Sequence, residues 1–296
     1  MRYVVPRAAA ILVPGLIVLL TGPAASAGRP QGQSKVALVT VVAEAAGPIR
    51  DLTVKDFTVT EDGQKREVLS VELAEDPLSI ALLVDSTQPP LGTIPPTQDL
   101  RTALATFVKA IRGYSPGVKI ALSEVAGASV PKASLTAMPG ELDSAIGRLY
   151  PNHQGDAVLL EALIDAGKLL ATQPPPRRAI VSVDFNSREG SAERSMKSAA
   201  EEVHKAGATL WAVSVRGTGA PAQNREEVLN KIVQANGGLR LMPVDSPGLE
   251  PNLKIVANSL ASQYTVTFTR PGGGKPKVTK METSRGAKVQ LTPWMR

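Results

Sequence analysis

The sequence predicts an α/β protein: a doubly wound, mostly parallel sheet, with a small accessory β module formed by the N- and C-terminal flanks. Three observations carry that prediction. The run Leu78-Ser79-Ile80-Ala81-Leu82-Leu83-Val84 is apolar along nearly its whole length, as a strand covered on both faces must be, and it stops at Asp85-Ser86-Thr87. From there to residue 262, such runs alternate with stretches whose apolar residues recur at helical spacing. Outside those limits, at 35–75 and 263–296, the pattern turns to short β-type alternations separated by Gly, Pro and Asp-Gly turns.

The chain opens on Arg2 and Arg7, followed by an apolar core, Ala8–Leu20, and by Ala25-Ser26-Ala27, whose small residues suit cleavage before Gly28. The core runs for about a dozen residues, short of the roughly 20 that a spanning helix needs. Residues 1–27 therefore read as a cleavable export signal, with a retained anchor as the alternative. No later stretch is apolar for long enough to span, so the mature chain is expected to be extracytoplasmic, periplasmic or secreted, with no stable membrane span.

Residues 28–34 form a polar lead expected to lack structure. The β module at 35–75 is expected to contain strands at Val36–Val42, Asp56–Thr60 and Val68–Leu73, with a hairpin turn at Asp62-Gly63. The α/β domain at 77–262 then has a strand at Ile80–Val84 and a helix at Leu100–Ile111, where Leu104, Phe107, Val108 and Ile111 share a face. Next come a strand at Val118–Val125, helices at Glu141–Leu149 and Ala157–Leu170, and a buried strand at Ala179–Val183 that ends in Asp184. The helix Ala192–Lys205, the strand Thr209–Val215 and the helix Arg225–Gln234 follow, the last stopped by Asn236-Gly237-Gly238. Leu239–Val244 and Leu253–Leu260 are the last strand and helix of the domain. In the C-terminal segment at 263–296, Tyr264–Thr269, Val278–Met281 and Lys288–Leu291 read as strands, with a hinge or long turn at Pro271–Gly274. The two β-rich flanks are expected to meet in one small sheet.

Composition excludes several classes of function. The chain has no cysteine, which removes disulfides, zinc thiolates and thiol catalysis. Its formal charge of +6 falls to +4 once Arg2 and Arg7 leave with the signal, and only 3% of residues are aromatic. That is a poor basis for a nucleic-acid platform, which needs clustered cations and stacking rings. The C-terminal cluster Lys275, Lys277, Lys280, Arg285, Lys288 and Arg296 reads as solvated faces of edge strands, where lysine discourages edge-to-edge pairing.

Two predicted strands end in carboxylates, Asp85 and Asp184, and hydroxyls of Ser86 and Thr87 follow the first. In a parallel sheet the carboxyl ends of the strands are where ligands bind. Mg2+ and Mn2+ take oxygen ligands in an octahedral shell and commonly retain water, so Asp85, Thr87 and Asp184 form a candidate metal set. The competing expectation is that the two aspartates cap helices or bind loop amides.

Asp85-Ser86-Thr87, the segment Gly155-Asp156-Ala157-Val158-Leu159-Leu160-Glu161-Ala162 and the strand Ile180-Val181-Ser182-Val183-Asp184 together resemble a von Willebrand factor type A domain. The flanks, from Leu52-Thr53 through Asp56-Phe57-Thr58-Val59-Thr60-Glu61-Asp62-Gly63 and from Tyr264 to the glycine run, are similar to the VWFA-related proteins abundant in acidobacteria. The resemblance implies a Rossmann-like, vWA-like sheet and a metal-ion-dependent adhesion site of the form Asp-x-Ser-x-Ser with a distant Thr and a distant Asp. Asp85, Thr87 and Asp184 match that pattern. The second serine falls on Pro89 and the threonine on Ala157, neither with a side-chain oxygen, and Phe185 replaces the glycine common after the last aspartate. The site is thus expected to be degenerate, with Gln88, His153, Asp156 and Asn186 as neighbouring recognition candidates.

Other signals point less far. Gly217-Thr218-Gly219-Ala220-Pro221-Ala222 is a loose dinucleotide fingerprint crowded by Pro221, and reads as a Gly-rich connection. His153 and His204 lack i,i+4 partners, and no G-x-S-x-G elbow occurs. Glu201-Glu202 and Arg225-Glu226-Glu227 read as solvated helix faces. The expected function is that of an exported, non-enzymatic module that binds a protein partner, without nucleic acid. The alternatives are an exported hydrolase using the strand-end pocket and a structural envelope component with a vestigial site.

Overall fold

The computed structural model describes residues 33–44, 46–87, 96–151, 155–185, 187–216, 223–271 and 275–296. The export signal, most of the polar lead, Gln88, Pro89, His153, Asn186, the Gly-rich connection at 217–222 and the glycines at 272–274 lie outside the described residues. The N-terminal flank forms β1 (Gln33–Val41), β2 (Phe57–Glu61), β3 (Gln64–Arg66) and β4 (Val68–Leu73). The middle of the chain follows with β5 (Ser79–Asp85), α1 (Thr97–Tyr114), β6 (Lys119–Val125), β7 (Ser129–Thr136), α2 (Pro139–Gly147) and α3 (Leu159–Ala171). It continues with β8 (Arg178–Asp184), α4 (Glu193–Lys205), β9 (Thr209–Ser214), α5 (Gln223–Asn236), β10 (Gly238–Leu241) and α6 (Leu249–Leu260). The C-terminal flank contributes β11 (Gln263–Arg270), β12 (Thr279–Thr283) and β13 (Val289–Met295). No helix among the described residues is long and apolar enough to cross a membrane.

The central sheet has the order β10-β9-β8-β5-β6-β7. All its pairs are parallel except β6 with β7. The chain leaves β5 towards one edge and returns through β8 towards the other, so the strand order reverses between these two strands. That reversal opens a crevice at their carboxyl ends, the usual ligand position in doubly wound sheets. Side-chain alternation divides the interior. Ile80, Leu82, Val84, Val181, Val183, Trp211 and Val213 pack with α1 and α6. Ala81, Leu83, Ile180, Leu210 and Ala212 pack with α3, α4 and α5. By the same period of two, Asp85, Asp184 and Ser214 fall on the second face.

Three sequence expectations are corrected here. The antiparallel edge strand β7 was not foreseen; its Pro131 and Lys132 weaken the strand pattern, and both are residues that protect an exposed edge. The strand expected at Leu239–Val244 stops at Leu241, ahead of Pro243, and α6 starts at Leu249, launched by a 3-10 turn whose Asp245 side chain accepts from the Gly248 amide at 3.3 Å. Gln33 and Ser34 are not structureless, because they pair with Arg270 and Thr269.

The flanks do meet, but in two sheets, ordered β13-β1-β11-β4 and β12-β2-β3. Asp62 (φ +48°) and Gly63 (φ +80°) close the β2–β3 hairpin with the positive dihedrals that such a turn requires. Glu67 alone then separates β3 from β4, and the chain changes sheet at this corner. Val39, Phe57, Val59, Tyr264, Val266 and Phe268 fill the space between the two sheets. Arg177 joins this sandwich to the α/β layer: its guanidinium donates to Gln263 Oε1, the Asp76 carbonyl and the Leu260 carbonyl at 2.9, 3.1 and 3.0 Å. Burial holds its pKa down at about 10, with Asp76 pulling it up and Arg50 pushing it further down.

Gly237 (φ +76°) and Gly238 (φ +105°) turn the chain from α5 into β10. A Cβ on Gly238 would lie 1.8 Å from the Leu210 carbonyl oxygen. Gly238→Ala should therefore lose about 3–5 kcal/mol of unfolding free energy in urea titration, from overpacking and backbone strain together. Gly113→Ala, where the new methyl group meets open space in α1, should lose none.

Candidate functional site

Asp85 and Asp184 end adjacent strands, one step beyond the Val84–Val183 pair, and both are buried. Asp85 is satisfied by hydrogen-bond donors from its own turn and from residues 185 and 187. Its Oδ1 accepts from the Thr87 amide at 2.8 Å and the Thr87 hydroxyl at 2.7 Å, the hydrogen bonds of a tight turn beginning on an aspartate. Its Oδ2 accepts from the Ser187 hydroxyl at 2.5 Å and the Phe185 amide at 3.3 Å. The hydroxyls of Thr87 and Ser187 also touch each other. Each carboxylate oxygen thus has two donors, which is the loop-amide arrangement that competed with metal binding in the sequence.

Asp184 is neutralised differently. The Ser214 hydroxyl, from β9, donates to its Oδ2 at 2.6 Å. The guanidinium of Arg225, from the first turn of α5, lies 3.6 Å from its Oδ1, and the two side chains are only 1% and 2% exposed. The sequence placed Arg225 on a solvated face with Glu226 and Glu227. That reading holds for Glu227, which pairs with Lys231 at the helix surface, whereas Glu226 is part-buried against Arg240 of β10 and Arg225 turns inward over the strand ends.

Residues 187–192 border the site. Their backbone is pinned to the segment before α3 by Ala157 N to the Arg188 carbonyl at 2.8 Å and Gly190 N to the Ala157 carbonyl at 2.7 Å. Glu189 accepts from the amides of Leu160 and Ser191, at 3.5 and 3.2 Å. Burial raises the Glu189 carboxyl above its ordinary 4.5, while Ser191, Arg225 and the Leu160 amide pull it down. Asp156 sits at the rim, where it forms a surface ion pair of 3.6 Å with Arg188. His204 instead meets Asn236 at 3.0 Å on α4.

The structure thus brings Asp85, Thr87 and Asp184 to one end of the sheet, together with two residues that the sequence did not point to, Ser187 and Arg225. Neither carries a local signal, since each reaches the site from a loop or helix far along the chain. These residues do not fit a divalent cation. An octahedral shell needs free oxygen donors, whereas both oxygens of Asp85 and the Thr87 hydroxyl are engaged, Ala157 offers none, and a guanidinium stands beside Asp184. Among the described residues, no group of three or more His, Asp and Glu side chains is arranged to hold a metal.

Ser187→Ala removes a hydroxyl from a buried carboxylate and should cost about 1–3 kcal/mol in denaturant titration. A carboxyl raised in the folded state contributes stability that is complete below its ordinary value and is lost as the pH climbs through the folded value. The stability of the wild type relative to Glu189→Gln should therefore fall as the pH rises above the ordinary carboxyl value of 4.5, as read by urea titrations repeated at a series of pH values.

No family model matches the sequence, and no curated protein does. Solved structures do. The chain is similar to the VWA domain of SpRpn10, with 13% identity over 62% of this chain and 96% of that one and a TM-score of 0.48. It is similar to the conserved hypothetical protein BatB from Bacteroides thetaiotaomicron, with 14% identity over 62% and 100% and a TM-score of 0.44. Proximal thread matrix protein 1 from the mussel byssus gives a TM-score of 0.50, with 13% identity over 71% of this chain and 50% of that one. At such identities the likeness is one of fold. The six-stranded sheet, its reversal between β5 and β8 and the carboxylates at that reversal give the middle of this chain the doubly wound fold expected from its resemblance to von Willebrand factor type A domains.

Proposed function

We propose that this chain is an exported, non-enzymatic protein-interaction module of the adhesion type, whose strand-end site is a degenerate metal-ion-dependent adhesion site. The observation that carries the proposal is the state of the two aspartates. They stand where the von Willebrand A-like fold places its binding edge, yet they are satisfied from within the protein, so neither is poised for chemistry. Among the described residues no imidazole approaches the Ser187 or Ser214 hydroxyls, which donate to the carboxylates instead. The recognition surface would be formed by the surrounding residues, with Asp156 and Arg188 paired at its rim. Export rests on residues 1–27, so the first residue of the mature chain should be Gly28.

The test is site-specific photocrosslinking in the extracytoplasmic fraction of the producing cell, from Arg188 at the strand-end rim and from Glu75 at the opposite end of the sheet. A discrete protein adduct formed from Arg188, absent from Glu75 and unchanged by chelator, is the expected result. Adducts only from Glu75 would place the interface elsewhere. Hydrolysis of generic ester or phosphate substrates that disappears in Asp85→Ala would replace the proposal with the hydrolase reading.

A further inference from the structure

We propose that Arg225 is the resident cation of the strand-end site, supplying to Asp184 the positive charge that an adhesion site of this fold otherwise takes from a divalent ion. The inference rests on reading the site as a degenerate adhesion site, but it needs no partner and concerns the charge that holds the site in place.

A site that had only lost ligands would leave Asp184 as a buried carboxylate without a counter-charge, a state that proteins avoid because desolvating an unpaired charge is costly. Here the ligand positions have changed in one direction and the charge in the other. Ala157 provides no oxygen, while α5 directs a guanidinium to within 3.6 Å of Asp184 Oδ1 at a point almost closed to solvent. The same charge acts on Glu189 and offsets part of the burial that raises that carboxyl. Arg225 therefore serves a strand-end carboxylate and a loop carboxylate together.

Asp85 has two donors on each oxygen and requires no cation. A divalent ion bound at Asp184 would have to share it with a guanidinium in a water-poor setting, where like charges repel strongly. Arginine also remains protonated throughout the physiological range. The strand-end site should then have one charge state, fixed by a covalently attached group and indifferent to the concentration of free metal.

The experiment is a thermal-unfolding series on the mature chain from Gly28, in EDTA and in millimolar Mg2+, Mn2+ and Ca2+. The wild type should melt at the same temperature in every condition, and calorimetric titration with each metal should give no saturable heat. Arg225→Gln should lower Tm by about 10 °C, the scale expected for breaking one buried ion pair in a domain of this size. The same substitution made in an Asp184→Asn background should cost less than half as much, because the carboxylate that needs the cation is gone. Arg225→Lys, which keeps the charge, should recover part of the loss. Saturable stabilisation of the wild type by any of the three metals, abolished by Asp184→Asn, would overturn the inference. An Arg225→Gln cost that is absent, or unchanged in the Asp184→Asn background, would overturn it too. If Arg225→Gln does not fold, the wild-type titrations and the comparison of Asp184→Asn with Asp184→Asn/Arg225→Gln still decide the matter. Photocrosslinking from Arg188 is scored separately, so a failure of the charge assignment is distinguishable from a failure of the interaction reading.

Discussion

The parallel pairing of β5 with β8 carries two carboxylates to one end of the central sheet and buries both, and buried carboxylates have to be neutralised where they stand. The surroundings of the site follow from that requirement. Asp85 is answered at short range by the turn it begins, and then by the Phe185 amide and the Ser187 hydroxyl. Asp184 faces β9 and α5, and the Ser214 hydroxyl and the Arg225 guanidinium are among the groups that answer it. Residues 187–192 are in turn held by backbone hydrogen bonds to Ala157, so neutralising the strand ends also fixes the rim around them.

The opposite end of the sheet treats charge in a related way. Arg177 is buried among neutral acceptors, two carbonyls and an amide oxygen, and its pKa is pushed down to about 10 while it remains protonated at neutral pH. It ties the start of β8, the end of α6 and the start of β11 together. One buried arginine thus secures the strand-end site and another secures the junction with the β sandwich. In a chain without cysteine, such polar contacts are placed where the apolar cores end and the layers have to be held in register.

The sheet was legible in the sequence because strands covered on both faces must be almost continuously apolar, and Leu78–Val84 and Ala179–Val183 meet that demand with one serine each. The Asp62-Gly63 hairpin was legible because few residues accept two positive φ values in succession. Strand β7 was not, since Pro131 and Lys132 serve its position at the edge and thereby obscure its pattern. At the site, Asp85 and Asp184 announced themselves by ending apolar runs. Ser187 had no such context, and Arg225 was hidden by its neighbours: two glutamates beside it suggested a solvated face, and helical spacing cannot show that the first turn of α5 leans over the end of another strand.

The construction of the β sandwich has a consequence for the order in which the molecule can form. Among the described residues, strand β1 pairs with β11 and β13, and Thr40 meets Gln263 across 223 positions of sequence. At ribosomal speed that interval lasts on the order of tens of seconds. Throughout it, the apolar segment from Ala37 to Val41 has been synthesised but its partners have not. The α/β layer can close around local contacts in the meantime. The sandwich must wait, and β1 is the segment that a holding chaperone would most usefully shield, since an unpaired apolar strand is the part of a nascent chain most prone to misassociation.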